Sequence, residues 1–473
     1  MNWTIALPEI VLSLAGLGIL LVGVLRRQDP TVLCTMLTLG AFLVTGMLVL
    51  TRPGGSGFYG QFTVDPFAVL TKLLILIGAA FSLMLALDDN ARRGIARFEY
   101  PVLILFATVG MMGMVSATSL MTLYVALELQ SLALYVLAAF ARDDLRSSEA
   151  GLKYFVLGAL ASGLLLYGIS LVYGFSGTMD FGALAGALGA PAQASPGLIV
   201  GIVFVIAGLA FKISAAPFHM WTPDVYQGAP TPVTTFFATA PKVAAMGLLL
   251  RVMVGPFGHL LASWQMVIEI ISVVSMVLGA LAAIGQTDIK RLMAYSSIGH
   301  MGYALIGLAV GTPLGMRGVL VYLIVYIFMS AGTWACIIAM RRQGSAVEKI
   351  EDLGGLARTD PALALAFAIF MFSMAGIPPL AGFFGKLYVF LAAVQSGMWT
   401  LAIIGVLTSV VGSYYYLRIV KVMYFDAPAP ALDRRSSMVG FVAAVTGLFT
   451  LFFFLFPGPL IAAAGTAASA LFG

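Results

Sequence analysis

The chain has 473 residues, 61% hydrophobic and only 10% charged, with a formal net charge of +5. Soluble domains carry about 25% charged residues, so the composition excludes an ordinary soluble protein and points to a polytopic membrane protein. The positive charge is scattered through short loops and offers no nucleic-acid patch. Cys34 and Cys336 are too few and too distant for a CxxC redox site or a cysteine-ligated iron–sulfur cluster.

Apolar runs of about 20 residues, the length that crosses a bilayer, recur along the whole chain. Fourteen are read, at roughly 5–25, 32–51, 66–87, 99–117, 119–140, 149–174, 197–227, 232–254, 264–285, 290–311, 317–340, 361–396, 399–424 and 437–461. The first contains Pro8 and Glu9 and ends in Arg26-Arg27, unlike a cleaved signal peptide. Arg26, Arg27, Arg92, Arg93, Arg97, Arg142, Arg146, Lys290, Arg291, Arg341, Arg342, Lys349, Arg358, Arg434 and Arg435 fall in the loops after odd-numbered spans. The opposite loops and span ends hold only Arg52, Arg251 and Arg317. The excess of lysine and arginine marks the cytoplasmic side, so both termini are expected outside. The expected location is a bacterial inner membrane.

Two runs are interrupted. Span 7 contains Pro217 and Pro223, and span 12 contains "MAGIPPLAGFFGK", residues 374 to 386. Proline removes a backbone donor and breaks a helix. In lipid the freed groups need protein or water partners. Broken helices in corresponding positions of two halves point to an ion path near mid-membrane. The expected fold is therefore all-α, with about fourteen transmembrane helices and two inverted five-helix repeats. The expected units are residues 1–98 (spans 1–3), 99–256 (first repeat), 257–425 (second repeat) and 426–473 (span 14).

Charges inside the spans come next. Glu128 lies in "LYVALELQSLALYVL", Lys212 just ahead of the first break, Lys242 in "FATAPKVAAMGLLL" and Lys386 just after the second break. A charge at the centre of a membrane helix costs at least ~2.5–3.5 kcal/mol and usually faces the bundle interior. A desolvated lysine beside a movable carboxylate can change its protonation state near neutrality, so a row of such lysines, bridged by water, suits proton relay. His300, in "YSSIGHMGYALIG", and His219, in the first break, titrate in the right range to join it. Lys72 and Lys153 are possible path members. Each also has a stem long enough to snorkel to the interface, and snorkelling is the expected role of Lys153. His259 is expected in solvent. Glu9, Glu269 and Arg418, near span ends, are expected at the interface. The histidines are too dispersed for a metal site.

These residues carry a resemblance. "ALELQSLALYVL", "KISAAPFHMWTPDVYQGAPTPV", "DIKRLMAYSSIGHMGY" and "GIPPLAGFFGK" resemble the antiporter-like membrane subunits of proton-pumping NADH:quinone oxidoreductase, respiratory complex I. Those subunits are similar to subunits of multisubunit sodium/proton antiporters. The resemblance covers nearly the whole chain. It implies that Glu128 modulates its partner Lys212, that Lys242 and His300 are the central relay residues, and that Lys386 is the terminal one near the outward exit. Lysine at 386 and the modest length resemble one member rather than its longer or middle relatives. The resemblance also implies partners: a related antiporter-like subunit, small helical subunits and lipid. It implies no cofactor in this chain, with FMN, iron–sulfur clusters, NADH and quinone handled by other subunits. A cation/proton antiporter subunit is the alternative it leaves open.

Overall fold

The computed structural model describes residues 3–188 and 195–472. Its helices are α1 (Leu7–Leu25), α2 (Thr31–Thr51), α3 (Pro66–Arg92), α4 (Glu99–Ser116), α5 (Leu120–Ala138), α6 (Leu145–Ser176), α7 (Phe181–Leu188), α8 (Pro196–Ile213), α9 (Trp221–Gly228) and α10 (Thr231–Ala238). They continue with α11 (Ala240–Val254), α12 (Leu261–Ile284), α13 (Ile289–Val310), α14 (Pro313–Ile338), α15 (Leu356–Thr359), α16 (Pro361–Ala375), α17 (Ala381–Gln395), α18 (Trp399–Phe425), α19 (Ser437–Phe452) and α20 (Gly458–Ser469). Two small antiparallel hairpins sit in the loops, β1 (Gly55–Gly57) with β2 (Phe62–Val64) and β3 (Arg341–Arg342) with β4 (Ser345–Ala346).

Short polar side chains start many of these helices. Asp65, Asp144, Ser195, Asp288, Thr312, Asp360 and Ser436 each accept a backbone N–H of the first turn, satisfying a donor the helix cannot. Among the described residues, twelve helical segments are long and apolar enough to cross a membrane. Two further crossings complete the fourteen. One is α13, whose serines, His300 and basic first turn lower its hydropathy. The other is the pair of short apolar helices α16 and α17.

Loop contacts sort the connections into two faces. On one, Phe62 bridges Ala117 and Ser119 bridges Asp180, joining the connections after spans 2, 4 and 6. On the other, Asp288 bridges Lys349, and the amides of Ala429 and Asp433 donate to the carbonyls of Gly354 and Arg341. These join the connections after spans 9, 11 and 13. The second face is the one the basic residues mark. Five spans per repeat is an odd number, so span 4 and span 9 start on opposite faces and the repeats are inverted.

Span 7 breaks between α8 and α9, and span 12 between α16 and α17. Two features depart from the sequence reading. Span 8 is also broken: Thr239, at φ −116° and ψ −96°, separates α10 from α11 just ahead of Pro241. A short helix, α20, follows span 14 and packs against α14 and α3. The centre of the molecule is α10, α11, α13 and α14, in which nearly every residue is buried.

Glu9 is not interfacial. It is buried in the first turns of α1 and pairs with Lys72 of α3 at 2.6 Å. Lys72 is 1% exposed, so its stem does not snorkel. A neighbouring carboxylate two helices away supplies the charge balance that neither local stretch displays. Arg418 does lie near a helix end, where it donates to the carbonyls of Ile284 and Gln286.

Candidate proton pathway

The path starts on α5. Glu128 accepts a hydrogen bond from Ser162 of α6. One turn on, Ser131 accepts from Lys212 Nζ at 2.7 Å, and Tyr135 lies 3.5 Å from the same nitrogen. Residues 128, 131 and 135 share one helix face, so α5 presents a polar row to α6 and α8. The expected Glu128–Lys212 pairing is therefore indirect. No ion pair joins the two among the described residues; serine and tyrosine hydroxyls stand between them. That leaves the ammonium free to feel a change in Glu128 without being locked to it.

Lys212 sits in the last turn of α8, where the helix dipole favours a cation. Ser214, which caps α8, adopts φ 62° and ψ 33°, a left-handed conformation costly for a residue with a Cβ. The turn exposes the end of α8 to Lys242, whose Nζ donates to the Ile213 carbonyl at 3.0 Å and to Ser214 Oγ. The second repeat does the same. Lys386 Nζ donates to the carbonyls of Met374 and Ala375, at 2.9 and 3.0 Å, and to Ser409 Oγ at 2.8 Å. Gly376, at φ 90°, makes this possible: a Cβ there would lie 3.0 Å from Lys386 Cδ. Thus each first half-helix, α8 and α16, ends inside the bundle against a lysine Nζ. Lys242 shares this arrangement with Lys386 although the two lysines hold different places around their breaks. Half-helix ends that hold ions near the midplane are a recurrent transport device.

Hydroxyl groups join the two repeats. Lys242 Nζ lies 5.5 Å from the Trp221 ring and 5.9 Å from that of Tyr226. Ser297 and Tyr326 are hydrogen-bonded at 2.9 Å, and the Tyr326 ring is 5.5 Å from His300. His300 is buried with both ring nitrogens engaged, Nδ1 with Tyr322 at 2.6 Å and Nε2 with Tyr416 at 3.1 Å. Tyr416 also bonds Ser296 at 2.5 Å. Tyr303, one turn past His300, places its ring 4.9 Å from Lys386 Nζ. Glu128 and Lys212 thus share one set of hydroxyls, and His300 and Lys386 a second, with Lys242 between them at the end of α8; the hydroxyl of Tyr226, beside Lys242, has no hydrogen-bond partner among the described residues.

The remaining candidates lie elsewhere. Lys153 is 42% exposed and pairs with Glu149 at 2.7 Å and Asp224 at 2.8 Å, at the face expected to be cytoplasmic. Asp224 also holds Arg291 at 2.7 Å, which ties span 7 to spans 6 and 10. His219 is half-buried in the first break, and its Nδ1 has no hydrogen-bond partner; the structure does not bring it to the relay row. Lys72 belongs to a separate ion pair on α3. No cluster of metal-ligating side chains occurs among the described residues.

The sequence reading missed the tyrosines and Asp224. "SYYYLR", residues 413 to 418, is a legible sign, since three tyrosines inside an apolar span need buried partners. Tyr322 and Tyr326, at i and i+4, point to one face. Asp224 inside "WTPDVYQG" is hidden by the break around it.

Residues 117–412 match the family described as NADH:quinone oxidoreductase/Mrp antiporter, transmembrane. The chain belongs to this family. A curated relative, NADH-quinone oxidoreductase subunit N of Granulibacter bethesdensis, is 68% identical over the full length of both chains. Among solved structures, a chain of respiratory complex I from Thermus thermophilus is 33% identical with a TM-score of 0.84, covering 97% of this chain and 100% of that one. A chain of the Mrp complex from Dietzia superposes with a TM-score of 0.87 at 23% identity, covering 100% and 98%; that likeness speaks to the fold alone. The comparisons place α5 to α17 inside the family's matched stretch, and with them all five residues of the row.

Proposed function

We propose that the chain is the subunit N of a bacterial NADH:quinone oxidoreductase and moves protons across the inner membrane. The full-length identity to subunit N relatives supports the assignment. The observation that supports the mechanism is that a lysine Nζ sits on the terminal carbonyls of each broken half-helix, Lys242 on α8 and Lys386 on α16.

The chain performs no redox chemistry in this reading. FMN, iron–sulfur clusters, NADH and quinone belong to other subunits. Quinone reduction there changes the charge or position of groups facing Glu128. The altered field at Lys212, felt across Ser131 and Ser162, shifts the balance of its proton. Lys242, held at the neighbouring end of α8, first releases its own proton toward His300, and as a neutral amine then takes the proton that Lys212 has drawn from the cytoplasmic side. His300 receives the released proton through the hydroxyls of Tyr226, Ser297 and Tyr326 and water between them. Lys386 takes it next and releases it to the outside. Lys153 with Asp224 forms the charged rim at the cytoplasmic entrance. Related subunits pack along the exposed apolar faces of the chain, and both termini face outward.

The test is NADH-driven acidification in proteoliposomes holding the complete complex. Glu128→Gln and Lys386→Met each lower pumping while electron transfer from NADH to a soluble acceptor persists. Activity that needs sodium and ignores NADH would instead make the chain part of a cation/proton antiporter.

A further inference from the structure

Four charged side chains outside the relay row meet at the far end of the helix that carries Lys242. Arg251, in the last turn of α11, donates from both terminal nitrogens to Asp65, at 2.9 and 2.8 Å, and from Nε to the Val115 carbonyl at 2.8 Å. Its guanidinium lies 4.9 Å from the Phe67 ring. Asp65 caps α3, and two turns along the same helix is Lys72, paired with Glu9 of α1 at 2.6 Å and 4.9 Å from the Phe62 ring. Asp65, Arg251, Lys72 and Glu9 are the charged groups of this cluster, two of each sign. Asp65, Lys72 and Glu9 lie outside residues 117–412, which match the family.

The geometry of α11 explains why such a clamp matters. Thr239 ends it on one side and Gly255, at φ −72° and ψ −94°, on the other. It is therefore a rod of 15 residues, set off from α10 by the break at Thr239 and ended by Gly255, and all of it is buried. Apolar packing is non-directional and does not by itself specify its rotation. Lys242, in its first turn, must nevertheless keep Nζ 3.0 Å from the Ile213 carbonyl. Arg251 is nine residues further on, about 13.5 Å along the axis. It is the only other charged residue in α11. Its planar fork meets three acceptors at once, which fixes orientation as well as distance.

We propose that Arg251 is a positioning residue for Lys242. Clamped to Asp65 and Val115, it sets the rotation and depth of α11, while the Lys72–Glu9 pair holds α3 to α1 and so steadies Asp65. The inference rests on Lys242 being a relay residue.

The experiment compares Arg251→Met, Asp65→Asn and Arg251→Lys in the complete complex, measuring the pH profile of NADH-driven pumping. Asparagine keeps the α3 cap. Misplacement of a reacting group by about 1 Å costs up to about a hundredfold, so pumping is expected to fall tenfold or more in the first two variants. Their pH midpoints move in the same direction, and Arg251→Lys, which keeps the charge but loses the fork, shifts the same way by less; a lysine variant identical to wild type overturns the proposal, because charge alone would then suffice. Opposite shifts overturn the proposal, because they are what a through-space charge effect gives when one variant removes a positive charge and the other a negative one. Unshifted profiles overturn it too, as a purely structural role predicts. If Arg251→Met does not assemble, Arg251→Gln, which keeps donors for Val115, takes its place. Lys242→Met is run alongside. Unimpaired pumping there refutes the relay itself, whereas normal profiles beside an inactive Lys242→Met refute only the positioning role.

Discussion

Replacing Lys242 by methionine removes the ionisable group while keeping an unbranched side chain of similar reach. In the structure the ammonium donates to the Ile213 carbonyl and to Ser214 Oγ. Each hydrogen bond from a charged donor is worth about 1.5–3 kcal/mol. Against that loss stands the ~2.5–3.5 kcal/mol that a charge at the centre of a membrane helix costs. The two bonds sum to about 3–6 kcal/mol, a net cost of about 1.5 kcal/mol at mid-range, so Lys242→Met is expected to assemble with the complex. The functional outcome is different, because among the described residues Lys242 is the side chain that meets both the end of α8 and the Tyr226 ring. Pumping is expected to fall at least tenfold, a barrier increase of about 1.4 kcal/mol or more, and quinone reduction coupled to it falls in parallel. Lys242→Arg is expected to fail equally, since a guanidinium keeps the charge but does not give up its proton. Inverted membrane vesicles with a pH-sensitive dye report the pumping, and NADH oxidation by a soluble acceptor reports the intact redox arm. Wild-type acidification in either variant would refute the relay.

The other expectations follow from the same contacts. Ser131→Ala removes the hydroxyl that receives Lys212 Nζ; a loss of about 1.5 kcal/mol, the low end for a charged donor that keeps Tyr135 nearby, predicts a roughly tenfold drop in pumping in the same vesicle assay. Tyr416→Phe leaves His300 Nε2 and Ser296 without their shared partner; pumping falls several-fold, while the amount of assembled complex on native gels does not change. Arg341→Met removes one of the two ion pairs of buried Asp89, at 2.6 Å, and leaves the one with Arg93, also at 2.6 Å. Asp89 keeps a charge partner, so the cost falls below the about 3–5 kcal/mol of an unpaired buried charge, and the expected result is a reduced amount of assembled complex, checked by membrane immunoblot. Asp224→Asn, by contrast, breaks two ion pairs on a partly exposed group; pairs of that kind contribute about 1 kcal/mol or less each, so assembly persists.

The sequence revealed a good deal because membrane insertion simplifies the pattern. Length and hydropathy located the spans, and the odd–even bias of arginine and lysine matches the two faces that the loop contacts define. The proline-bearing breaks and the charges beside them were legible because both are costly in lipid. What stayed hidden depends on tertiary contact. Glu9 and Lys72 are 63 residues apart in the numbering and explain each other only when α1 packs against α3. Arg251 looked like an ordinary basic residue at a span end until Asp65 and Val115 closed on it. The break at Thr239 carries only a following Pro241 as a sign, and proline in the first turn of a helix is normally a start signal. The hydroxyls of Tyr322 and Tyr326 on α14 and of Tyr416 on α18 come from two distant stretches that converge around His300. No local pattern contains that convergence.

The most direct measurement is to purify the chain from native membranes in mild detergent and identify what accompanies it. The account predicts flavin, iron–sulfur absorbance and NADH:quinone activity in the same fraction, with proton pumping after reconstitution. A fraction that holds only hydrophobic subunits, lacks redox centres and exchanges sodium for protons would contradict it.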